Sequence, residues 1–227
     1  MISLAIDTSA HLCAAAVHDS DGDAILAEVT EDIGRGHAER LMDVISAVLA
    51  AAGKDYSALG RVIATTGPGS FTGIRVGLAT ARGIGLGLGI DVCGVSTLEA
   101  AAFEARRIAP LSQQRSLLAC FDARRGETYC QFFDAPGAPD GPFVASYHEI
   151  PALMAFRRDW SLCGSGAEAV NAAAGTAYPV LHALSAIPIA AVARLGAAKP
   201  PSSDKPEPLY LRAPDARPQE GFVLRRA

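Results

Sequence analysis

Two short segments carry the residue types that hold phosphate groups and divalent cations. Asp7, Thr8 and Ser9 follow the apolar run ISLAI, and Gly164 and Gly166 lie in the loop CGSGAE. A carboxylate and hydroxyls at the end of a strand can bind Mg²⁺ and phosphate, and a glycine-rich turn can offer backbone N–H groups to a second phosphate. Each segment is also an ordinary turn by itself. Together they predict a phosphate site, which is either active or vestigial.

A third candidate is the segment GPGSFTG, which joins an apolar strand to a helix. Its glycines, Gly67, Gly69 and Gly73, miss the dinucleotide spacing G-x-G-x-x-G because the third comes one residue late. No Gly-Lys-Ser/Thr follows, so the pattern of a nucleotide-binding P-loop fails too. A structural turn explains the segment as well as a phosphate site does, since proline and glycine favour tight turns.

The sequence contains no motif of a serine hydrolase, a metal site or a thiol-dependent enzyme. The sequence lacks G-x-S-x-G and HExxH, and its five histidines are scattered, so neither a serine hydrolase nor a helix-borne metal pair is indicated. The five cysteines are widely spaced and include no CxxC pair. We interpret them as reduced, mostly buried thiols rather than disulfides or zinc ligands.

Composition limits the possible partners. The 227 residues are 50% hydrophobic and 19% charged, with a net charge of −4, which indicates a globular protein that does not hold nucleic acid alone, because phosphate contacts need positive charge. The apolar run Ile74–Ile90 is too short for a membrane span and contains Arg75 and Arg82. No signal peptide is indicated. We therefore expect a soluble, cytoplasmic protein.

The secondary-structure pattern indicates how these segments are positioned. Three strand-like runs, a helix, a strand, a glycine-rich helix and a further strand occupy the first half, and a hairpin with fewer elements opens the second. This order predicts an α/β fold with two lobes and mixed sheets, the second lobe smaller. The predicted bounds are 1–98 and 99–227, with a helix at 185–198 that packs back on the first lobe. No internal repeat of fixed period is present, and the proline-rich tail from Pro200 is expected to be extended or mobile.

The glycines of the predicted glycine-rich helix lower its stability, and this loss requires a compensating contact. Gly73, Gly77, Ala81, Gly85 and Gly89 lie four residues apart, and each helix glycine costs about 1 kcal/mol relative to alanine. Either the helix packs closely on its own sheet, or a partner approaches it. Apolar and small residues occur all round the helix, which favours burial on more than one side and a partner interface. The predicted interface residues are Leu41, Met42, Ile45, Phe71, Ile74, Arg75, Gly77, Leu78, Ala81, Arg82 and Gly85.

Six segments occur in an order that resembles a known family. They are LAIDTS, HAERLMDVI, TTGPGSFTGIRVGLATARGIGLGLGI, GVSTLEA, DARRGETY and PLYLR. The chain resembles the bacterial TsaB family, also called YeaZ, over most of residues 1–130 and again at the tail. Residues 135–188 carry little of this signature.

The resemblance implies a fold, a role and partners. It implies the actin-like (ribonuclease H-like) ATPase fold and a non-catalytic dimerisation and scaffold subunit for the homologous catalytic subunit TsaD. With TsaE, these proteins transfer a threonylcarbamoyl group to adenosine 37 of tRNA, forming t6A. The helices His37–Ala52 and Ser70–Gly87 would pair with TsaD, or form a homodimer in its absence. The tRNA would be contacted only through the complex.

The resemblance also implies which groups this chain lacks. The catalytic homologue carries an HxxxH metal pair, which falls here on Thr97 and Ala101, residues unable to bind iron or zinc. We therefore expect no catalytic residue, metal or cofactor on the isolated chain, with ATP or ADP held by the partners or at the assembled interface. Gly77→Leu is expected to abolish the heterodimer and leave the monomer folded.

Two other functions remain open. An autonomous phosphotransferase of the actin-like superfamily would use Asp7–Ser9 and Gly164–Gly166. A glycoprotease-type peptidase ranks third, since the sequence assembles neither a nucleophile nor a metal pair.

Overall fold

The computed structural model describes residues 1–109, 116–135, 137–138, 140–156, 158–202 and 204–212. Within these residues, the first half of the chain forms one mixed five-stranded sheet. Its strands are ordered β3-β2-β1-β4-β5, with β1, β2 and β3 antiparallel and β4 and β5 parallel to β1. The strands are β1 (Ile2–Asp7), β2 (Leu12–Asp19), β3 (Ala24–Asp32), β4 (Leu59–Gly67) and β5 (Asp91–Ser96).

The second half repeats the same plan with shorter strands. Its sheet is ordered β10-β9-β6-β7-β8, with an antiparallel meander followed by two parallel strands. These strands are β6 (Ser116–Arg124), β7 (Glu127–Phe133), β8 (Phe143–Ser146), β9 (Trp160–Cys163) and β10 (Val180–His182). With the α-helices given below, each half has the order strand, strand, strand, helix, strand, helix, strand, helix.

Six α-helices in the described residues cover the sheets. They are α1 (His37–Ala51), α2 (Phe71–Leu88), α3 (Thr97–Ile108), α4 (Ile150–Met154), α5 (Ala167–Ala174) and α6 (Ile189–Ala198). The α1 and α2 pair covers one face of the first sheet, and α4 and α5 cover one face of the second. Strands β1 and β2 are buried almost throughout because helices cover both faces of their sheet, whereas the edge strand β3 alternates.

The remaining two helices fill the space between the sheets. α3 follows the first sheet but contacts β6, β7, β9 and β10, whereas α6 follows the second sheet and packs on β1, β2, β4 and β5. Small side chains permit this close packing: a Cβ at Gly196 would lie well inside 3.0 Å of the Ile63 side chain. The guanidinium of Arg61 fixes α6 by donating to the carbonyl oxygens of Gly196 at 3.0 Å and Lys199 at 2.6 Å.

The predicted fold class is confirmed, but the expectation of fewer elements in the second half is wrong. The second half contains as many strands as the first, including β8 and β10, which lie in the segment without a clear pattern. The duplication is one of topology, so a search for a fixed sequence period does not detect it. The predicted bound at residues 98 and 99 falls inside α3. The described part of the tail is extended, and hydrogen bonds and ion pairs attach it to the two sheets and their helices as far as Arg212.

Candidate docking face and interlobe cleft

The small residues of α2 fall on two opposite faces. Gly73, Gly77, Ala81 and Gly85 are buried against the first sheet. A Cβ at Gly77 would lie 2.5 Å from Thr8 Oγ1, and one at Gly85 would lie well inside 3.0 Å of the Val92 side chain. The predicted close approach is therefore real, but the molecule that approaches these positions is the chain's own sheet.

This packing corrects the predicted interface. Its two helices bury their apolar stripes on the first sheet, and a side chain enclosed there is not available to a partner. The buried members of the predicted set are Leu41, Ile45, Ile74, Gly77, Leu78, Ala81 and Gly85. Met42, Phe71 and Arg75 are exposed and Arg82 is half-buried, so these four remain predictions.

A second row of small residues points away from the protein. Ala79, Gly83 and Gly87 are exposed at four-residue spacing, and a Cβ at Gly83 or Gly87 would meet no atom of the described residues within 4 Å. Leu86 lies on the same side and is 81% exposed. We call Ala79, Gly83, Leu86 and Gly87 the outer face of α2. The predicted set omitted these residues, although their spacing was visible as a second i, i+4 row.

The first predicted phosphate segment, Asp7–Ser9, is hydrogen-bonded to the N-terminal end of α2. The Ser70 backbone N–H, at the N-cap of α2, donates to the Ser9 carbonyl at 2.6 Å, and the Thr8 hydroxyl donates to the Gly73 carbonyl at 2.7 Å. Asp7 Oδ1 accepts from the Ser9 N–H at 2.8 Å and from the Thr65 hydroxyl at 2.7 Å. Protein groups therefore engage the Thr8 hydroxyl, the Ser9 N–H and Asp7 Oδ1, three of the groups that a phosphate or its cation would use.

The second predicted loop is satisfied in the same way. The Gly166 N–H donates to the Cys120 carbonyl at 3.0 Å, and the Gly164 N–H donates to the His182 carbonyl at 2.9 Å. Gly164 has φ +97°, and a Cβ there would lie well inside 3.0 Å of the Cys120 carbonyl. The glycines of this loop thus serve close packing on β6.

A cleft of about 660 Å³ separates these two loops. The structure thus brings the predicted segments to the same place, since Ser9 lines the cleft from the first sheet and Ser165 from the second. The other lining residues include hydroxyl groups, aromatic rings and small residues, with Asp122 and Arg124 from the β6–β7 hairpin. Thr97, at one of the two positions where a metal pair would fall, also lines the cleft and is 5% exposed.

The thiols are buried, and the possible metal ligands among the described residues do not converge. All five cysteines are free and buried. Burial raises the pKa of Cys13 to about 11 and the pKa values of Cys130 and Cys163 to about 12, so these thiols stay protonated and unreactive near neutral pH. In the part of the chain that the structure describes, no three His, Cys, Asp or Glu side chains converge as a metal site would require.

The described part of the tail after α6 runs from the first sheet to the second, and we call its residues 199–202 and 204–212 the strap. Lys199 Nζ binds Glu99 Oε2 at 2.7 Å, and the guanidinium of Arg82 donates to the Pro206 carbonyl. The strap ends on the second sheet, where the guanidinium of Arg212 pairs with the carboxylate of Glu127. The proline-rich sequence predicts that this segment is extended or mobile, and it indicates none of these contacts.

Comparison with known proteins places these features in context. The family model described as TsaD, tRNA N6-adenosine threonylcarbamoyltransferase, matches residues 25–200. An uncharacterized protein of Mycobacterium tuberculosis is 34% identical over 221 residues, which are 95% of this chain and 93% of that protein. The tRNA threonylcarbamoyladenosine biosynthesis protein TsaB of Escherichia coli is 34% identical over 126 residues, and its counterpart in Bacillus subtilis is 32% identical over 129. These two matches span only 52% and 53% of the TsaB proteins.

Solved structures show the same fold. A Pseudomonas aeruginosa protein described as similar to peptidase YEAZ superposes with a TM-score of 0.72 at 24% identity, over 93% of this chain and 99% of that chain. YeaZ from Pseudomonas aeruginosa gives a TM-score of 0.68 at 24% identity, over 87% and 93%. Among the described residues, no helix has the length and apolar character needed to span a bilayer.

Proposed function

The chain belongs to the TsaD family of tRNA N6-adenosine threonylcarbamoyltransferase proteins, and within it to the TsaB (YeaZ) group, and from this membership we propose that it is a non-catalytic subunit in the formation of t6A in tRNA. It docks on a TsaD-type catalytic subunit, works with a TsaE-type subunit, and contacts tRNA only as part of the assembly. Without the catalytic subunit, the same face pairs two copies of the chain. Nucleotide and metal belong to the partners or to the assembled interface, and the complex is cytoplasmic.

The outer face of α2 is the observation that carries this proposal. Glycines lower helix stability at exposed positions, yet a side chain at Gly83 or Gly87 would disturb no neighbour in the part of the chain that the structure describes. Leu86, at 81% exposure, adds apolar surface to this face that a docked partner would bury. Small residues at four-residue spacing let a second helix approach closely, and a neighbouring leucine would then contribute about 25 cal/mol for each Å² of apolar surface buried.

The closed phosphate segments support a non-catalytic role. Thr8, Ser9 and the two loop glycines Gly164 and Gly166 direct their hydrogen bonds to protein atoms. A nucleotide would have to break these bonds before its phosphates could replace them, which costs free energy at each buried group left unpaired. This argument weighs against the autonomous phosphotransferase.

The test is complex formation by variants of the outer face. Gly83→Leu fills the approach path of a partner helix, so we expect loss of the complex with a TsaD-type subunit in gel filtration. The monomer should remain folded, because leucine is a better helix former than glycine and the position is open. An intact Gly83→Leu complex would contradict the proposal.

Two further variants serve as comparisons. Gly22→Leu is a matched control, since Gly22 also meets no atom within 4 Å but lies in the turn between β2 and β3; its complex should form normally. Gly77→Leu is no longer a selective test, because its side chain would collide with Thr8. We expect that variant to unfold or aggregate rather than to remain a folded monomer.

A further inference from the structure

Arg75 packs against a pair of contacting aromatic rings at the N-terminal end of α2. Its guanidinium carbon is 3.8 Å from the centroid of the Phe71 ring and 5.6 Å from that of Tyr210. Arg75 Nε donates to the Tyr210 hydroxyl at 2.7 Å, and the two ring centroids are 5.2 Å apart. We call Phe71, Arg75 and Tyr210 the arginine–aromatic cluster.

The strap holds Tyr210 in this position. The Leu209 N–H donates to the Thr66 carbonyl of β4 at 2.8 Å, which fixes the backbone next to Tyr210. Four residues earlier, Pro206 packs where Gly94 has no side chain, since a Cβ there would lie 2.7 Å from Pro206 Cβ. The cluster is therefore built by two segments far apart in sequence, and its geometry is set before any partner arrives.

The cluster presents a cation without an acidic partner. Within the described residues, Arg75 forms no ion pair, whereas Arg40 pairs with Glu31 and Asp43, and Arg212 pairs with Glu127. Among the described residues, only the Nε–H of Arg75 finds an acceptor, so the remaining N–H groups of its guanidinium are available to a partner. Phe71 is 47% and Tyr210 45% exposed.

This composition matches the centre of a protein interface. Arginine and tyrosine are enriched among the residues that carry most binding energy, and a guanidinium offers a carboxylate two parallel hydrogen bonds. Arg75 lies one helical turn from Ala79, so the cluster continues the outer face of α2. A nucleic acid is less suited to the site, because phosphate binding relies on several cations and this chain has a net charge of −4.

We propose that the arginine–aromatic cluster binds a carboxylate side chain, flanked by apolar groups, on the protein that docks against the outer face of α2. This inference rests on the proposed function, and it adds the chemistry of the partner at one point of the interface. It also assigns a role to the strap, which supplies one of the three side chains.

The experiment measures the affinity of the full chain for the TsaD-type subunit by calorimetry at low and high salt. Arg75→Gln should weaken binding about tenfold, the effect of losing a hydrogen-bonded charge pair, and Arg75→Glu should weaken it further. Tyr210→Ala should also weaken binding about tenfold. Arg107→Gln is the control, because Arg107 lies on α3 and pairs with Glu104; its affinity should equal that of the wild type.

A charge exchange identifies the partner group. In the Arg75→Glu background, converting one acidic residue of the subunit to lysine should restore the affinity. If no single exchange restores it, or if both Arg75 variants bind as the wild type does, the proposal is overturned while the proposed function stands. Reduced tRNA binding by the Arg75 variants with unchanged subunit affinity would overturn it in favour of an RNA contact. Failure of the wild type to bind the subunit would overturn both.

Discussion

The hydroxyl of Thr8 donates a hydrogen bond to the carbonyl oxygen of Gly73 at 2.7 Å, joining the turn after β1 to the first turn of α2. The contact brings the two backbones so close that a Cβ at Gly73 would lie well inside 3.0 Å of the Thr8 carbonyl oxygen. In the same place, the Ser9 carbonyl accepts from the N-cap of α2. The sequence of the glycine-rich helix is thus dictated on this side by packing, and only its other side is left for a partner.

Alanine substitutions should separate the two faces of α2. Gly73→Ala introduces a methyl group where none fits, so we expect it to lower the free energy of unfolding by about 1–3 kcal/mol. Gly83→Ala adds a methyl group in open space and removes a helix glycine, so it should raise that free energy by about 0.5–1 kcal/mol. Urea unfolding of both variants checks the prediction. Equal effects of the same sign would show that the helix does not pack as described.

Removing the guanidinium of Arg61 should be strongly destabilising. This side chain is 3% exposed, pairs with Asp91 at 2.9 Å and donates to carbonyl oxygens at the end of α6. Arg61→Met leaves a carboxylate and several carbonyls without their donor, and we expect a loss of about 3–5 kcal/mol in the free energy of unfolding.

The control for this prediction is Arg40→Met. Arg40 forms its ion pairs with Glu31 and Asp43 at the surface, where solvent screens the charges. Chemical denaturation should find this variant close to the wild type. A small effect of Arg61→Met in the same experiment would mean that the Arg61 contacts do not hold α6 on the first sheet.

His182 should make stability depend on pH below neutrality. Burial lowers its pKa from the ordinary value of 6.5, although a hydrogen bond to the Ala101 carbonyl and the charge of Glu104 partly oppose the shift. The unfolded chain therefore binds a proton near pH 6.5 that the folded chain accepts only at lower pH. Above pH 6.5, His182 does not change the free energy of unfolding. That free energy falls as the pH decreases from 6.5 towards the lowered pKa of the folded state.

A comparison of two proteins isolates this effect from other titrating groups. The free energy of unfolding, measured in urea at pH 7.5 and pH 5.5, should fall more for the wild type than for His182→Gln, since glutamine carries no titrating proton. The same decrease in both proteins would mean that His182 does not contribute.

Calorimetric titration of the isolated chain with Mg-ATP should detect no micromolar binding. The Thr8 hydroxyl and the N–H groups of Ser9, Gly164 and Gly166 are engaged with protein atoms, so a phosphate would gain hydrogen bonds only by breaking existing ones. A single site of micromolar affinity would favour the autonomous phosphotransferase over the scaffold.

The fold class was predictable because local patterns carry it. Alternating and continuous apolar runs identified most strands and helices, and Ser96 with Glu99 forms the capping box that begins α3. The four-residue strand β8 and the three-residue strand β10 were missed, because such short strands leave too few residues to establish a period. The candidate phosphate segments line one cleft through Ser9 and Ser165, but the sequence did not indicate their hydrogen bonds to protein atoms, which involve partners such as Thr8 and Gly73, 65 residues apart.

By itself, the sequence determined a two-lobed α/β fold, a group of relatives and an unusual density of small residues on one helix. Only the tertiary structure decided which of these residues face the chain's own sheet and which face solvent. When small and apolar residues lie on every side of a helix, the sequence does not indicate which side is buried, and the position of the sheet decides it. The same is true of Tyr210, which joins Phe71 and Arg75 only because a strap with no regular secondary structure carries it across the first sheet.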